Sequence, residues 1–344
     1  MRKTRYTSRP KKKRSAVKPF LTLLALALVF AITVVITSLV KADRMMKRTP
    51  EAIPPYATNS LPPFNTISIS SAGGQITLRG WLISPEKQLN RGTVIMVHDQ
   101  DGNRLPYGLD TTSLIKHLSR QGFYTLCFDL RHSGESGGGM SSFGYSEAED
   151  VIAALKWATR NVPPSPLILY GFGSGTTAIF RALSTLEDIR QTGDGNDDAV
   201  KDAAKLLDQI AAVMADSPAR DSDAFIFSTV EQDSNPLMFW LPYTTPYAIR
   251  LSAGSGDKQD YFAWFSSLSY PVMLFGHAHD DYLEESDYRP MIDERFRIHP
   301  DRTSAHFLEG SGHLSSFYED PEAYLSAMTS FFDRWFPQDR DSVR

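Results

Sequence analysis

The sequence predicts an α/β domain, a mostly parallel twisted sheet with helices on both faces and a cap insertion, preceded by one N-terminal transmembrane helix. Three observations carry this. Short apolar runs alternate with helical patterns from residue 93 onward, a stretch from Phe20 to Val40 has no charge, and the residues between are rich in proline.

The 21 uncharged residues would span about 32 Å as a helix at about 1.5 Å per residue, close to the hydrocarbon thickness of a bilayer. Nine Lys/Arg precede the stretch, with a run at Lys11 to Arg14, and only Lys41, Arg44, Lys47 and Arg48 follow nearby. That bias keeps a basic tail, 1–19, in the cytoplasm and sets the body outside a cell membrane that the chain crosses once. A cleaved signal peptide is the alternative, because Val40-Lys41-Ala42 offers small residues at suitable spacing. Signal cores, however, usually run only about 7 to 15 residues. Residues 41–64 include Pro50, Pro54, Pro55, Pro62 and Pro63, the composition of an extended linker that holds the domain off the membrane.

The domain itself is expected over 65–338. Runs at 66–70 and 75–84 around Gly73-Gly74 predict an opening hairpin. Strand and helix patterns then alternate: 93–98 with 109–121, 124–129 with 146–161, and 167–170 with 176–186. This is the signature of βαβ units. Residues 187–210 read as a surface insertion passing into a helix, 211–215 as a strand, and 217–268, mixing Pro with aromatic residues, as a cap. Strands at 271–276 and 304–308 follow. Residues 321–336 close the domain as a helix with a core-facing stripe of Tyr324, Met328, Phe331, Phe332 and Trp335.

Composition narrows the function. Residues 1–48 hold 13 Lys/Arg against Asp43 alone, leaving 23 Lys/Arg against 39 Asp/Glu in the remainder. An acidic body argues against nucleic acid as a partner. Cys127 is the one cysteine, so no intrachain disulfide forms, and its neighbours Leu126 and Phe128 mark it as a buried strand residue.

In parallel sheets the chemistry gathers at the carboxyl ends of the strands. There the apolar run 167–170 enters Gly171-Phe172-Gly173-Ser174-Gly175 and then a helix, the setting of a strained strand-to-helix turn that lifts a reactive side chain into the open. Further pieces follow in order: Asp129-Leu130-Arg131-His132-Ser133-Gly134-Glu135-Ser136, Ala215-Asp216-Ser217-Pro218, the acidic turn at 271–283, and Gly310-Ser311-Gly312-His313. With these motifs the chain resembles the α/β-hydrolases over roughly residues 66–336. The resemblance implies that His313 is the general base and Asp281 the acid that orients it, with Asp280 the adjacent alternative. It also implies that an ester or acyl hydrolase site would take a small, partly apolar ligand or acyl substrate. No metal and no cofactor are implied.

Two departures stand against this. The nucleophile position of G-x-S-x-G falls on Gly173, which has no side chain, so attack would need Ser174 as a shifted nucleophile or another group. The loop His98-Asp99-Gln100-Asp101-Gly102-Asn103 resembles the family's H-G-x-G-G-N loop with two glycines replaced by aspartates. Gln100 and Ser174 would supply the oxyanion-hole N–H groups, and nearby carboxylates oppose a developing negative charge. A rival reading takes His277-Ala278-His279-Asp280-Asp281 as metal ligands, without a partner motif elsewhere. The sequence leaves open a hydrolase with a compromised serine mechanism and a non-catalytic relative that binds a ligand or protein partner.

Overall fold

The computed structural model describes residues 17–338 apart from 88, 196 and 234, so most of the basic tail lies outside the described residues. Eight strands form one sheet: β1 (Phe64–Ser71), β2 (Ile76–Ile83), β3 (Gly92–Val97), β4 (Phe123–Phe128), β5 (Leu167–Phe172), β6 (Ile210–Asp216), β7 (Val272–His279) and β8 (Thr303–Ser311). Their spatial order is β1-β2-β4-β3-β5-β6-β7-β8. β1 pairs with β2 and β2 with β4 antiparallel, and all later pairings are parallel. The expected opening hairpin is therefore the antiparallel edge of a parallel sheet.

The helices are α1 (Val17–Met46), α2 (Thr111–Arg120), α3 (Glu147–Asn161), α4 (Ser174–Thr192), α5 (Asp198–Gln209), α6 (Ser222–Asp233), α7 (Leu241–Ser252), α8 (Phe262–Ser267), α9 (Glu285–Ile298), α10 (Ser316–Glu319) and α11 (Pro321–Trp335). β3 and β5 are buried along their whole length, as central parallel strands covered on both faces must be. Along β5 the side chains alternate between two cores. Leu167 and Leu169 join α3 and α4 on one face, while Ile168, Tyr170 and Phe172 meet α2 and α11 on the other. Tyr324, Met328, Phe331 and Phe332 form the buried stripe of α11, which Asp320 caps by accepting from Ala323 N–H with Pro321 at the first turn.

The 187–210 segment is exposed over 191–195 and 197–199 and passes into a helix, as expected, but that helix packs on the body. α5 starts on Asp197, whose side chain accepts from Ala199 N–H, and it buries Val200, Ala203, Leu206 and Leu207 against the body. Between β6 and β7 the expected cap region holds α6, α7 and α8.

The N-terminal helix runs past the uncharged stretch as far as Met46. Residues 17–33 are exposed, whereas Ser38, Ala42, Met45 and Met46 form a buried stripe at helical spacing. Thus the segment from 41 does not begin as an extended linker, since its first turns continue the helix and join the core. The proline-rich residues beyond it are also pinned. Met46 carbonyl accepts from Ser141 N–H at 2.8 Å, and Glu51 N–H donates to Asp101 carbonyl at 2.7 Å. Asn103 Nδ2 returns a bond to Glu51 carbonyl at 3.2 Å. Composition suggested a free spacer; backbone hydrogen bonds to the 98–103 and 141 loops hold it down.

Candidate functional site

The strand-to-helix turn after β5 places Gly173 at φ 50° and ψ −125°, a conformation that strains any residue with a Cβ. A Cβ on Gly175 would collide with the carbonyls of Val97 and His98, so the helix can approach β3 only because that position is small. The turn has the geometry of a nucleophile elbow without its nucleophile.

The space above Gly173 is filled by Asp99. A Cβ built on Gly173 would lie 2.5 Å from Asp99 Oδ1 and 2.6 Å from its Cγ, far inside contact distance. Asp99 Oδ1 accepts from Ser174 N–H and from Ser174 Oγ–H, each at 2.7 Å. Ser174 Oγ in turn accepts from Gln100 N–H at 2.8 Å. Both N–H groups expected to serve an oxyanion are therefore used inside the protein, and a fixed carboxylate sits where a negative oxygen would develop. The Gln100 side chain points away, with Oε1 accepting from Phe143 N–H at 2.9 Å and Nε2 donating to Asp101 and Ser141. Ser174 is buried, and its hydroxyl is committed to Asp99 and Gln100 rather than to His313.

His313 pairs with Asp280, not with the Asp281 favoured from sequence. Its Nδ1 lies 2.7 Å from Asp280 Oδ2. Asp280 follows directly on β7, and its Oδ1 accepts from Tyr282 N–H at 2.9 Å and Leu283 N–H at 2.8 Å, which turns the other oxygen toward the histidine. Asp281 stands exposed at the turn. The imidazole is buried against the Tyr282 ring at a centroid distance of 4.8 Å, and its Nε2 has no hydrogen-bond partner. Burial opposes a charge on His313, yet the Asp280 hydrogen bond and the negative charges of Asp280, Asp99 and Asp216 outweigh it, so its pKa is raised. The His313–Asp280 pair has the geometry of an oriented imidazole.

Sequence reading missed what supports that base. Asp216, at the end of β6, is buried and receives hydrogen bonds from the hydroxyls of Tyr107, Tyr324 (2.8 Å) and Ser217 (3.0 Å). Ser217 Oγ accepts from Leu314 N–H at 3.1 Å, tying the cluster to the histidine loop. Burial pushes the Asp216 carboxyl up, against those hydrogen bonds. The members of the 277–281 motif turn to different partners: His277 Nε2 meets Glu319 Oε1 at 3.0 Å, while Asp280 holds His313. Among the described residues no group of three or more His, Cys, Asp or Glu is arranged to hold a metal ion.

Asp101, the other substituted glycine of the loop, adopts φ 59°. Burial pushes its carboxyl up to about 6, against a Gln100 hydrogen bond and the charge of Arg48 3.7 Å away.

Comparison with known proteins bears on the fold and the family. The chain superposes on the Pyrococcus furiosus esterase Pf2001 with a TM-score of 0.61 at 20% identity, covering 84% of this chain and 99% of that one. The esterase domain of a Rhodothermus marinus protein gives a TM-score of 0.51 at 14% identity, covering 80% and 100%. An α/β hydrolase from a Penicillium species gives 0.51 at 18%, covering 80% and 99%. At these identities the likeness speaks for the fold. No curated protein matches the chain in sequence. The sequence profile described as the alpha/beta hydrolase family matches residues 94–327, most of the domain and every strand end discussed above, and the chain belongs to that family.

Proposed function

We propose that this chain is a membrane-anchored, ester/acyl hydrolase-like member of the family whose serine mechanism is disabled and whose site is closed by its own Asp99. The observation that carries this reading is the carboxylate of Asp99, 2.5 Å from the position a side chain at 173 would take and bonded to Ser174 N–H. A serine cannot be lost more completely than by filling its space. The donors that would stabilise a tetrahedral oxyanion are the ones Asp99 and Ser174 consume, and such donors supply much of the rate in acyl transfer.

One observation favours a second reading, residual hydrolysis by another route. The His313–Asp280 pair is intact, and Nε2 is left without a partner. A base of that kind can activate water or a hydroxyl.

The anchor is retained in this reading and sets the body outside the membrane. Support comes from the buried stripe of α1, from Ser38 Oγ 2.6 Å from Thr244 Oγ1, and from Trp240 Nε1, which donates to Thr37 Oγ1 at 3.1 Å. Removing residues 17–42 as a signal would strip those contacts from the cap.

The test is hydrolysis of short and medium acyl nitrophenyl esters by the full chain in detergent, beside His313→Ala. The expected result is no turnover above buffer in either protein. Turnover by the wild type that disappears in His313→Ala would overturn the disabled-site reading in favour of the second one.

A further inference from the structure

The cap carries exposed apolar side chains that its own fold does not cover. Leu237 is 80% exposed, Phe239 67%, Tyr243 66%, Tyr247 67% and Leu251 74%, with Met238 among them. These residues lie just before α7 and along it, and α7 is the element against which α1 packs. The Phe30 ring stands edge-on to Trp240 at 5.4 Å, and Thr37 and Ser38 bond Trp240 and Thr244.

The contacts fix the height of the patch relative to a bilayer. Lys41 Nζ is 3.7 Å and Arg48 Nη2 2.7 Å from Asp233, at the end of α6. Such a charged group belongs at the water side, because charges are costly in hydrocarbon. Thr37 is four residues and Phe30 eleven residues before Lys41, about 6 Å and about 17 Å further into the apolar stretch at about 1.5 Å per residue. Trp240 contacts both, so residues 236–240 lie beside the membrane helix, below the plane of its charges. Interfacial segments bury their apolar face roughly 5–10 Å into the headgroup and acyl boundary. Tyrosine and tryptophan suit that zone, with an apolar body and a polar tip.

We propose that residues 236–251 form a second membrane contact, seated in the outer leaflet of the membrane that α1 crosses, with Leu237, Met238 and Phe239 as its deepest part. The occupant of this face is lipid at the acyl–headgroup boundary, not another protein. The surface is continuous with the exposed apolar face of α1, and the Lys41–Asp233–Arg48 cluster marks its upper rim. This inference rests on α1 being a retained membrane span.

The test places an environment-sensitive dye on single cysteines in the full chain reconstituted into phosphatidylcholine vesicles, with Leu237→Cys and Phe239→Cys as the probes. Leu28→Cys in α1 reports the span, and Glu322→Cys on α11 reports water. Burial pushes the native Cys127 thiol up to about 12, so it stays unlabelled at neutral pH. The expected result is blue-shifted emission at 237 and 239, quenched by doxyl-labelled lipid as position 28 is, with 322 unshifted. Quenching at 28 with water-like emission at 237 and 239 overturns the second contact and leaves the anchor standing. Water-like emission at 28 overturns the anchor and the proposal with it. Blue-shifted emission at 237 and 239 that lipid does not quench means that a protein surface, such as a second copy, covers the patch, which also overturns the proposal.

Discussion

Placing serine at 173 should fail alone and succeed only when Asp99 is removed with it. In Gly173→Ser the new Cβ would meet Asp99 Oδ1 at 2.5 Å, where ordinary contact begins at 3.4 Å, so the carboxylate must move by close to an ångström. That movement breaks the 2.7 Å bonds from Ser174 N–H and Oγ–H. Overpacking of this kind costs about 1–3 kcal/mol. Gly173→Ser should therefore melt below the wild type and remain inactive. In Asp99→Gly/Gly173→Ser the clash is gone and Ser174 N–H faces an open space. A single oxyanion-hole donor is worth roughly 100- to 1000-fold in turnover, so the double variant should exceed Gly173→Ser by at least about 100-fold. The assay is nitrophenyl ester hydrolysis with thermal melts on the same samples, and His313→Ala added to the double variant should abolish the gain. Equal activity in the single and double variants would refute the argument that Asp99 is the block. A double variant that melts like the wild type but stays silent would refute the argument that the site is otherwise complete.

Three further outcomes follow from the same structure. Asp280→Asn should lower the His313 pKa, read by the imidazole NMR titration, because the Asp280 hydrogen bond and charge are what raise it against burial, whereas Asp281→Asn should leave the titration in place. Asp101 binds its proton more tightly folded than unfolded, with a pKa of about 6 against 3.8, so its charge destabilises the fold above about pH 6 and does not do so below about pH 4. Asp101→Asn should accordingly raise the melting temperature at pH 7 to 8 and match the wild type near pH 4. Met46 is 1% exposed in the core cluster, so Met46→Ala should cost about 2–5 kcal/mol in the full chain in detergent, seen as a lower melting temperature.

The sheet was legible because each parallel strand is a short apolar run bounded by glycine or a polar turn, and because the helices between them are amphipathic. The strained turn at Gly173 and the loop that carries His313 were legible from their motifs. The partner of His313 was expected at Asp281 with Asp280 as the adjacent alternative, since the two are chemically alike and only the amides of Tyr282 and Leu283 decide which carboxylate turns inward. Asp99 was visible as a departure from the family loop, but its role was not. Its partner in space, Gly173, lies far along the chain, and the two positions fit only together: the Asp99 carboxylate occupies the space that a side chain at 173 would need. The 41–64 segment was misread for a related reason. Proline content reports the absence of a helix, not the absence of partners, and the bonds from Met46 and Glu51 are backbone bonds that leave no trace in composition.

The attachment of α1 to the body also sets how the molecule behaves as an object. A domain on a loose tether tumbles, and every part of its surface meets the membrane in turn. Here α1 is buried at Ala42, Met45 and Met46, bonded to α7 through Ser38, and continued by a stretch of chain bonded to the loop that carries Asp99. The helix is joined to the body through its own core residues and backbone bonds rather than through a loose linker. Under the anchoring proposed above, the body keeps one face toward the bilayer, and a partner meets the same opposite face each time.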